Sequence, residues 1–318
     1  MTGQPQALIT GALGFCGRHL AACLASAGYR VSGLDRVQAP SPDGLAIYTG
    51  DIRDRAWLEG VLRDVMPTHI FHLAAITSPK VGWDALHAVN VLGTAQLLEA
   101  VRLSGLDPVV LVAGSSAVYG AVAHGELPIG EDQPFRPTTA YARSKAEQDL
   151  LAFSYHERYG LRIVRARPFN LTGPGESPGF VASSFAQQIV RIEAGQQEPV
   201  VEVGNLASVR DFVDVRDLVR AYLLLGERGR PGEVYNICSG IGTEIRHLLD
   251  LLLALSRRPG IEVRTDEARW QEADVPIQVG SAERIRLATG WRAEIPLPQT
   301  LRDVLDSWRR RIPSRSEA

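Results

Sequence analysis

The sequence of 318 residues has little cysteine: it contains only Cys16, Cys23 and Cys238, and no CxxC pair. An odd number of widely spaced cysteines does not indicate a disulfide framework and favours a reducing compartment. No stretch approaches the roughly 18 apolar residues of a membrane-spanning helix. The residues before the first apolar run, "MTGQPQ", are too few for a signal peptide. We therefore expect a cytoplasmic protein that makes no membrane contact.

The sequence also lacks an excess of charge of either sign. Its 34 Lys and Arg residues nearly balance 36 Asp and Glu residues, for a net charge of −2. Without a basic excess, binding to a nucleic-acid backbone is not predicted. The seven histidines show no HExxH or other metal-ligand spacing, so no metal site is predicted. The GxSxG motif of serine hydrolases is absent as well.

What the first half does contain is an alternation of short apolar runs with longer amphipathic stretches. The runs are "ALIT" at 7–10, "YRVSGLD" at 29–35, "AIYTG" at 46–50, "HIFHLAA" at 69–75, "PVVLVAG" at 108–114 and "LRIVRARP" at 161–168. Strands that alternate with helices predict right-handed crossovers and an α/β fold with a doubly wound parallel sheet. We expect residues 1–172 to form a dinucleotide-binding domain. Residues 173–318 should form a smaller, mixed α/β substrate-binding region, with segments that cross back to the first domain.

A glycine-rich turn follows the first predicted strand. Gly11, Gly14 and Gly17 form GxxGxxG at the start of a helix, where backbone N–H groups can approach a diphosphate. The second strand ends at Asp35, 18 residues after Gly17, close to the spacing of an acid that binds the adenosine ribose. A carboxylate there would repel a 2′-phosphate, so NAD is favoured over NADP, although the neighbouring Arg36 could contact a phosphate. The alternatives are a turn that serves close packing alone and a solvated carboxylate.

Three further residue types suggest proton transfer. Tyr141 and Lys145 stand at i and i+4 in "YARSK", which places them on one face of a helix. A nearby ammonium stabilises a phenolate and so lowers the pKa of a tyrosine from about 10. "GSS" at 114–116 follows a strand and places the hydroxyls of Ser115 and Ser116 at the carboxyl edge of the sheet. Each feature alone is more often structural, but together on one doubly wound sheet they favour catalysis.

The motifs "TGALGFCG", "HLAA", "NVLGT", "SSAVYG" and "YARSK" resemble, in this order, those of the extended short-chain dehydrogenase/reductase family that acts on nucleotide sugars. The resemblance covers nearly the whole chain. It implies that Tyr141 is the acid/base, that Ser115 binds the reacting oxygen, and that Lys145 lowers the pKa of Tyr141 and holds the nicotinamide ribose. The residues assigned to the cofactor are Gly11, Gly14, Phe15, Cys16, Gly17, Asp35, Arg36, Asp51, Ile52, Leu73, Ala74, Ala75, Asn90, Tyr141, Lys145 and Pro168.

In the second half, "RPFNLTGPGESPGF" and "VGNLASVRDFVDVRDLVRAY" resemble the family members that reduce GDP-6-deoxy-4-keto-D-mannose to GDP-D-rhamnose. This likeness implies a GDP-sugar substrate and places Arg210 on its diphosphate. The alternative for Arg210 is an internal ion pair with Asp211 or Asp214. The residues assigned to the substrate are Ser78, Ser115, Ser116, Asn170, Gln188, Arg191 and Arg210.

Two positions depart from the family pattern. Ala117 stands where the dehydratases carry an acid and where reductases of the GDP-rhamnose type often keep a glutamate. A methyl group cannot abstract the C5 proton of a sugar, so 4,6-dehydration is not expected. The second departure is at Gln271 and Glu272, where the family carries an Arg-Pro pair. Without that arginine the segment is expected to bind a diphosphate less well, although Arg269 could take its place.

The sequence leaves alternatives for activity and assembly. "SSAVYG" also resembles the loop of UDP-sugar 4-epimerases, so an NAD-dependent epimerase is the alternative to a reductase. A non-catalytic NAD-binding protein is a third possibility, against which the intact Ser115, Tyr141 and Lys145 argue. The resemblance further implies a homodimer in which helices near 84–104 and 140–159 form a four-helix bundle with their copies, although the apolar residues of those helices could equally be core.

Overall fold

The structure, a computed structural model of the chain, describes residues 4–38, 45–78, 81–266, 268 and 275–313. Its centre is a sheet of seven strands. These are β1 (Gln6–Thr10), β2 (Arg30–Asp35), β3 (Ala46–Thr49), β4 (His69–His72), β5 (Val109–Ala113), β6 (Ile163–Pro168) and β10 (Val234–Ile237). All pairs are parallel, and the spatial order is β10-β6-β5-β4-β1-β2-β3. The prediction of a doubly wound parallel sheet is therefore confirmed.

The strand order reverses between β1 and β4, which determines where a ligand can bind. On either side of this point the crossover connections run to opposite faces of the sheet, so a crevice opens at the carboxyl ends of the strands. The glycine turn follows β1, and "GSS" follows β5. The topology thus brings the two motifs to the same edge of the sheet.

Helices cover both faces of the sheet. The helices that flank it are α1 (Phe15–Ser26), α2 (Arg55–Val65), α3 (Trp83–Leu86), α4 (Gly93–Ser104), α5 (Ala140–Tyr159) and α7 (Val215–Arg228). On one face α1 packs beside α7, and on the other α4 packs between α2 and α5. The helix predicted near 84–104 is interrupted, because His87–Leu92 form a wider π-helical turn between α3 and α4.

Each central strand buries side chains on both faces. Ile9 and Leu111 belong to the apolar core under α1 and α7, whereas Leu8 and Val110 belong to the core under α2 and α4. All four are fully buried. Burial on both faces explains why these strands are continuous apolar runs rather than alternating ones.

The second half forms a smaller layer beside the carboxyl edge of the sheet. Its helices and strands are β7 (Asn170–Thr172), α6 (Val181–Glu193), β8 (Val200–Val203), β9 (Val209–Asp214), β11 (Gly242–Glu244), α8 (Ile245–Ala254), β12 (Glu262–Thr265), β13 (Ile277–Gln278), α9 (Glu283–Thr289) and α10 (Leu297–Arg311). β9 pairs with β7, β11 and β13, and β8 pairs with β12. A separate apolar core joins α6, α8 and α10. β10 leaves this layer and becomes the seventh strand of the main sheet.

Three global features bear on the expectations from composition. Among the helices that the structure describes, none has both the length and the apolar character to cross a bilayer. All three cysteines are free thiols. The described residues contain no group of three or more His, Cys, Asp or Glu side chains arranged to hold a metal ion.

Candidate active site

A cavity of about 460 Å³ lies at the carboxyl edge of the sheet, between the glycine turn and the second-half layer. Its volume is in the range of small-molecule sites. The predicted site residues that it brings together are Gly11, Gly14, Phe15, Cys16, Gly17, Leu73, Ala75, Ser115, Ser116, Tyr141, Lys145, Pro168 and Asn170. Residues far apart in sequence thus converge on one crevice.

The glycine turn leaves no room for side chains at its floor. Gly11 has φ +71°, a conformation that favours glycine, and an added Cβ would lie 3.0 Å from the backbone of Ala74. A Cβ on Gly17 would overlap the carbonyl oxygens of Gly11 and Ala12. Gly14 is the N-cap of α1, so the free N–H groups of the first helical turn border the cavity. This arrangement fits the diphosphate of a dinucleotide.

Asp35 ends β2 beside the same turn. Its Oδ2 accepts a 3.0 Å hydrogen bond from the backbone N–H of Leu13, and its Oδ1 accepts one of 3.3 Å from Val37. The carboxylate is therefore fixed against the glycine turn. Asp51, at the end of the neighbouring strand, is bonded to the Arg53 guanidinium, which lowers the pKa of that carboxyl.

Tyr141 stands in the first turn of α5, which begins at the N-cap Thr139. The Thr139 hydroxyl accepts the N–H of Ala142 at 3.1 Å and so fixes the start of the helix. Burial raises the pKa of Tyr141, and a side-chain hydrogen bond with Ser115 partly opposes this. The Ser115 oxygen also accepts the N–H of Ala117 at 3.2 Å. Ser115 thus acts on the pKa of Tyr141, and the raised pKa keeps the Tyr141 hydroxyl protonated at neutral pH.

Lys145 lies one helical turn after Tyr141 and is 3% exposed. Its Nζ donates 2.8 Å hydrogen bonds to the carbonyl oxygen of Ala113 and to Oε1 of Gln148. Burial lowers the pKa of this amine to about 7, although the charge of Asp149 opposes the shift. Two of the three ammonium donors are used within the described residues, and the amine borders the cavity. Lys145 can therefore be charged near neutral pH and still bind a ligand.

A family model described as "NAD dependent epimerase/dehydratase family" matches residues 7–238, which include the glycine turn, Ser115, Tyr141 and Lys145. The chain belongs to this family. It is 37% identical to the GDP-6-deoxy-D-mannose reductase of Pseudomonas aeruginosa over 96% of this chain and 97% of that protein.

Solved structures agree with this membership. The chain is similar to RMD from Pseudomonas aeruginosa complexed with NADPH, with a TM-score of 0.86, 35% identity and coverage of 96% of this chain and 100% of that one. It is also similar to the UDP-glucose 4-epimerase of Thermus thermophilus in complex with NAD, with a TM-score of 0.85, 30% identity and coverage of 95% and 98%. The first of these structures holds NADPH and the second holds NAD.

The other residues that the sequence assigned to the cofactor or the substrate do not line the cavity that the described residues form. They are Asp35, Arg36, Asp51, Ile52, Ala74, Ser78, Asn90, Gln188, Arg191 and Arg210. Asn90 is buried, and its amide bonds both backbone groups of Ile76. The Gln188 amide likewise bonds both backbone groups of Glu202. These two side chains are engaged within the protein.

Arg210 is not among the described residues that line the cavity. It donates to the carbonyl oxygens of Val209 at 3.0 Å and Pro276 at 3.4 Å. Asp211 and Asp214 are the carboxylates that could form an internal ion pair with Arg210. Asp211 accepts hydrogen bonds from Ser239 and Gly240, and Asp214 forms an ion pair with Arg216. The segment with Arg269, Gln271 and Glu272 lies outside the described residues.

Sequence reasoning missed several residues that line the cavity, notably Glu176, Tyr222 and Gln278. Glu176 is 2% exposed and accepts a 2.9 Å hydrogen bond from the Thr172 hydroxyl. Burial raises the pKa of this carboxyl to about 8. An acid within the Gly- and Pro-rich run "TGPGESPG" was a visible signal. Gln278, whose amide donates to the carbonyl oxygen of Ser116, lies in a two-residue strand that left no signal.

Proposed function

We propose that this protein is an NAD(P)-dependent reductase of a 4-keto nucleotide sugar and that its substrate is GDP-6-deoxy-4-keto-D-mannose, which it converts to GDP-D-rhamnose. The observation that carries the proposal is the cluster of Ser115, Tyr141 and Lys145 at the crevice of the sheet. The similarity to the Pseudomonas aeruginosa reductase over nearly the full length of both chains supports the choice of substrate.

The glycine turn and the N-terminus of α1 would hold the cofactor diphosphate, and Lys145 would donate to the nicotinamide ribose. When bound, the nicotinamide supplies a hydride to the keto carbon. Tyr141 donates its proton to the oxygen of that carbon, and Ser115 hydrogen-bonds the same oxygen. A raised pKa keeps Tyr141 protonated before the reaction, and the Lys145 ammonium stabilises the phenolate afterwards. Both hydroxyls border the same cavity, where a bound keto group could meet them in the orientation that the proton transfer needs.

The cofactor is proposed to be NAD in preference to NADP. The Asp35 carboxylate, fixed by the backbone N–H of Leu13, would accept the ribose hydroxyls and repel a 2′-phosphate. Arg36 is exposed next to it and could attract such a phosphate. The repulsion acts at a fixed position, whereas an exposed arginine must be ordered before it binds.

Residues 1–172 are assigned to cofactor binding and residues 173–318 to the substrate. Asn170, the first residue of β7, lines the cavity and would face the sugar. Arg210 would bind the substrate diphosphate, since a guanidinium can donate two parallel hydrogen bonds to phosphate. Ala117 leaves the loop after β5 without a carboxylate, which supports reduction rather than dehydration.

The protein is further proposed to form a homodimer through α4 and α5. Apolar side chains are exposed on both helices and on the π-helical turn that precedes α4: they are Leu92, Leu103, Leu150, Phe153 and Tyr159. The two helices pack against each other, so these exposed apolar side chains lie on neighbouring elements. Exposed apolar residues grouped in this way are typical of an interface. A second copy would complete a four-helix bundle.

The test is the stoichiometry of coenzyme consumption. With GDP-6-deoxy-4-keto-D-mannose and NADH or NADPH, a reductase consumes one reduced coenzyme for each sugar and yields GDP-rhamnose. An epimerase, favoured by the likeness to the Thermus thermophilus enzyme, would convert a UDP-hexose with no net change in coenzyme. Turnover of UDP-glucose without reduction of the keto sugar would overturn the proposal.

A further inference from the structure

We propose that Gln148 is a positioning residue of the active site: its side-chain oxygen holds the Lys145 ammonium, and a buried series of side chains fixes that oxygen to the strand that precedes the glycine turn. The inference rests on the proposed function, in which Lys145 acts at the cofactor and on Tyr141. Gln148 does not itself line the cavity that the described residues form.

The contact between the two side chains is buried. Gln148 is fully buried, and its Oε1 lies 2.8 Å from the Lys145 Nζ. Oε1 must be the acceptor, because an ammonium only donates hydrogen bonds. A buried ammonium is destabilised by the loss of water, and each acceptor that replaces water offsets part of that cost. Gln148 and the carbonyl oxygen of Ala113 are the two acceptors that the structure shows.

A second hydrogen bond fixes the orientation of the Gln148 amide. Its Nε2 donates to the Thr94 hydroxyl oxygen at 2.8 Å. Thr94 in turn donates its only proton to the carbonyl oxygen of Asn90 at 2.6 Å. If the amide were reversed, Oε1 would face the Thr94 hydroxyl, which already donates its proton to Asn90. Nε2, a donor, would then face the Lys145 ammonium, which is also a donor. The amide therefore has one favourable orientation, with its oxygen toward Lys145.

The series continues through His72 to the first strand. Because the Thr94 proton is committed, His72 Nε2 at 2.8 Å must be the donor, which leaves Nδ1 to accept from the Thr10 hydroxyl, also at 2.8 Å. Thr10 immediately precedes Gly11, and its oxygen accepts the N–H groups of Leu73 and Ala74. Burial and the charge of Lys145 lower the pKa of His72 to about 3, so the ring stays neutral. The hydrogen-bonded series of Gln148, Thr94, His72 and Thr10 therefore orients the Gln148 amide and does not conduct a proton.

Asp149 is the carboxylate that acts on the amine, and its charge raises the pKa of Lys145. The titratable and charged groups around the amine are Tyr141, Asp149, His72, Arg165 and Arg167. Asp149 is held by both arginines, at 2.7 and 2.8 Å, so its charge is shared with them. His72 and Tyr141 are neutral. Gln148 is therefore the side chain whose replacement changes the surroundings of the ammonium most directly.

The experiment uses the fact that the chain has only two lysines, Lys80 and Lys145. In a Lys80→Arg background, protein labelled with ¹³C at lysine Cε gives a single lysine NMR signal, which reports the titration of Lys145 without substrate or cofactor. Gln148→Leu and Gln148→Glu are compared with Ser154→Ala, which removes an exposed hydroxyl from the same helix. Folding of each variant is checked by its thermal unfolding.

Gln148→Leu removes an acceptor and should lower the pKa of Lys145 by about one unit, whereas Gln148→Glu adds a negative charge and should raise it by at least as much. Ser154→Ala should leave the pKa unchanged. At a pH above the pKa of Lys145, the leucine variant should bind NADH about tenfold more weakly. An unchanged pKa in either variant, or shifts of the same sign in both, would overturn the inference. Failure of the keto-sugar assay would not affect this titration, so the two proposals fail separately.

Discussion

The carbonyl oxygen of Gly11 occupies the position that a side chain on Gly17 would need. The first turn of α1 therefore packs directly on the glycine turn, and the N–H groups at the helix start lie at the floor of the cavity. This close approach of two backbone segments defines the proposed diphosphate site.

We expect Gly17→Ala to weaken cofactor binding at least tenfold, because the added Cβ must displace the turn. The dissociation constant of NADH, measured by fluorescence, checks this. Gly60→Ala is the matched control, since Gly60 lies inside α2 with open space where a Cβ would stand. It should leave binding unchanged and stabilise the fold by roughly 0.5–1 kcal/mol through helix propensity. Equal NADH affinity in both variants would argue against the site.

Asp35→Asn should shift coenzyme selectivity toward NADPH. The amide keeps an oxygen for the Leu13 N–H but removes the charge that repels a 2′-phosphate. We expect the ratio of kcat/KM for NADPH to that for NADH to rise about tenfold, which corresponds to about 1.4 kcal/mol. Asp64→Asn, an exposed change of the same charge on α2, is the control. A ratio that moves equally in both variants would show that overall charge, rather than Asp35, governs the choice.

Much of this architecture could be predicted from the sequence because it depends on local patterns. The glycine turn follows an apolar run and precedes a helix, and Tyr141 and Lys145 share a helix face, so spacing alone indicates their grouping. β10 was not predicted as a strand of the main sheet. It has only four residues and pairs with β6, more than sixty positions earlier, so nothing local identifies it.

The partners of polar side chains were also not predictable from the sequence, because they too depend on contacts between distant segments. The ligand roles of Gln188 and Asn90 stay predictions, and the structure adds that their amides bond backbone groups whose positions depend on tertiary packing. Glu176 was passed over because it lies in a loop, and its burial results from the second-half layer that closes over it. A polar side chain in a sequence does not reveal whether its partner is a ligand or the protein itself.

Glu176 should make the stability of the protein depend on pH. Burial raises the pKa of its carboxyl from 4.5 to about 8, so the folded state holds the proton more tightly than the unfolded state. Binding of this proton stabilises the folded state fully below pH 4.5, and this stabilisation is lost as the pH rises to about 8. Glu176→Gln, which removes the ionisation, should therefore raise Tm relative to the parent protein at about pH 8.5 by several degrees more than at about pH 5.

The control for this measurement is Glu198→Gln, an exposed change of the same kind. Its Tm relative to the parent should be nearly the same at both pH values. If Glu176→Gln and Glu198→Gln behave alike, Glu176 ionises freely in the folded protein and the burial argument is wrong.

The exposed apolar surface of α4 and α5 predicts a dimer of twice the 34.6 kDa chain mass. Leu150→Glu places a charge at a leucine of α5 that is 56% exposed and should yield monomers, as measured by light scattering coupled to size-exclusion chromatography. Leu287→Glu, at a leucine that is 71% exposed on α9, should leave the mass unchanged. A monomeric parent protein would contradict the proposed interface.

The central claim is that the Tyr141 hydroxyl transfers the proton to the sugar oxygen. Its most direct test is the turnover of GDP-6-deoxy-4-keto-D-mannose by Tyr141→Phe, with Tyr159→Phe at the far end of α5 as the control. We expect Tyr141→Phe to lower kcat by about 10²–10⁴-fold while NADH still binds, and Tyr159→Phe to retain the parent rate. A Tyr141→Phe variant that reduces the keto sugar at the parent rate would contradict the account.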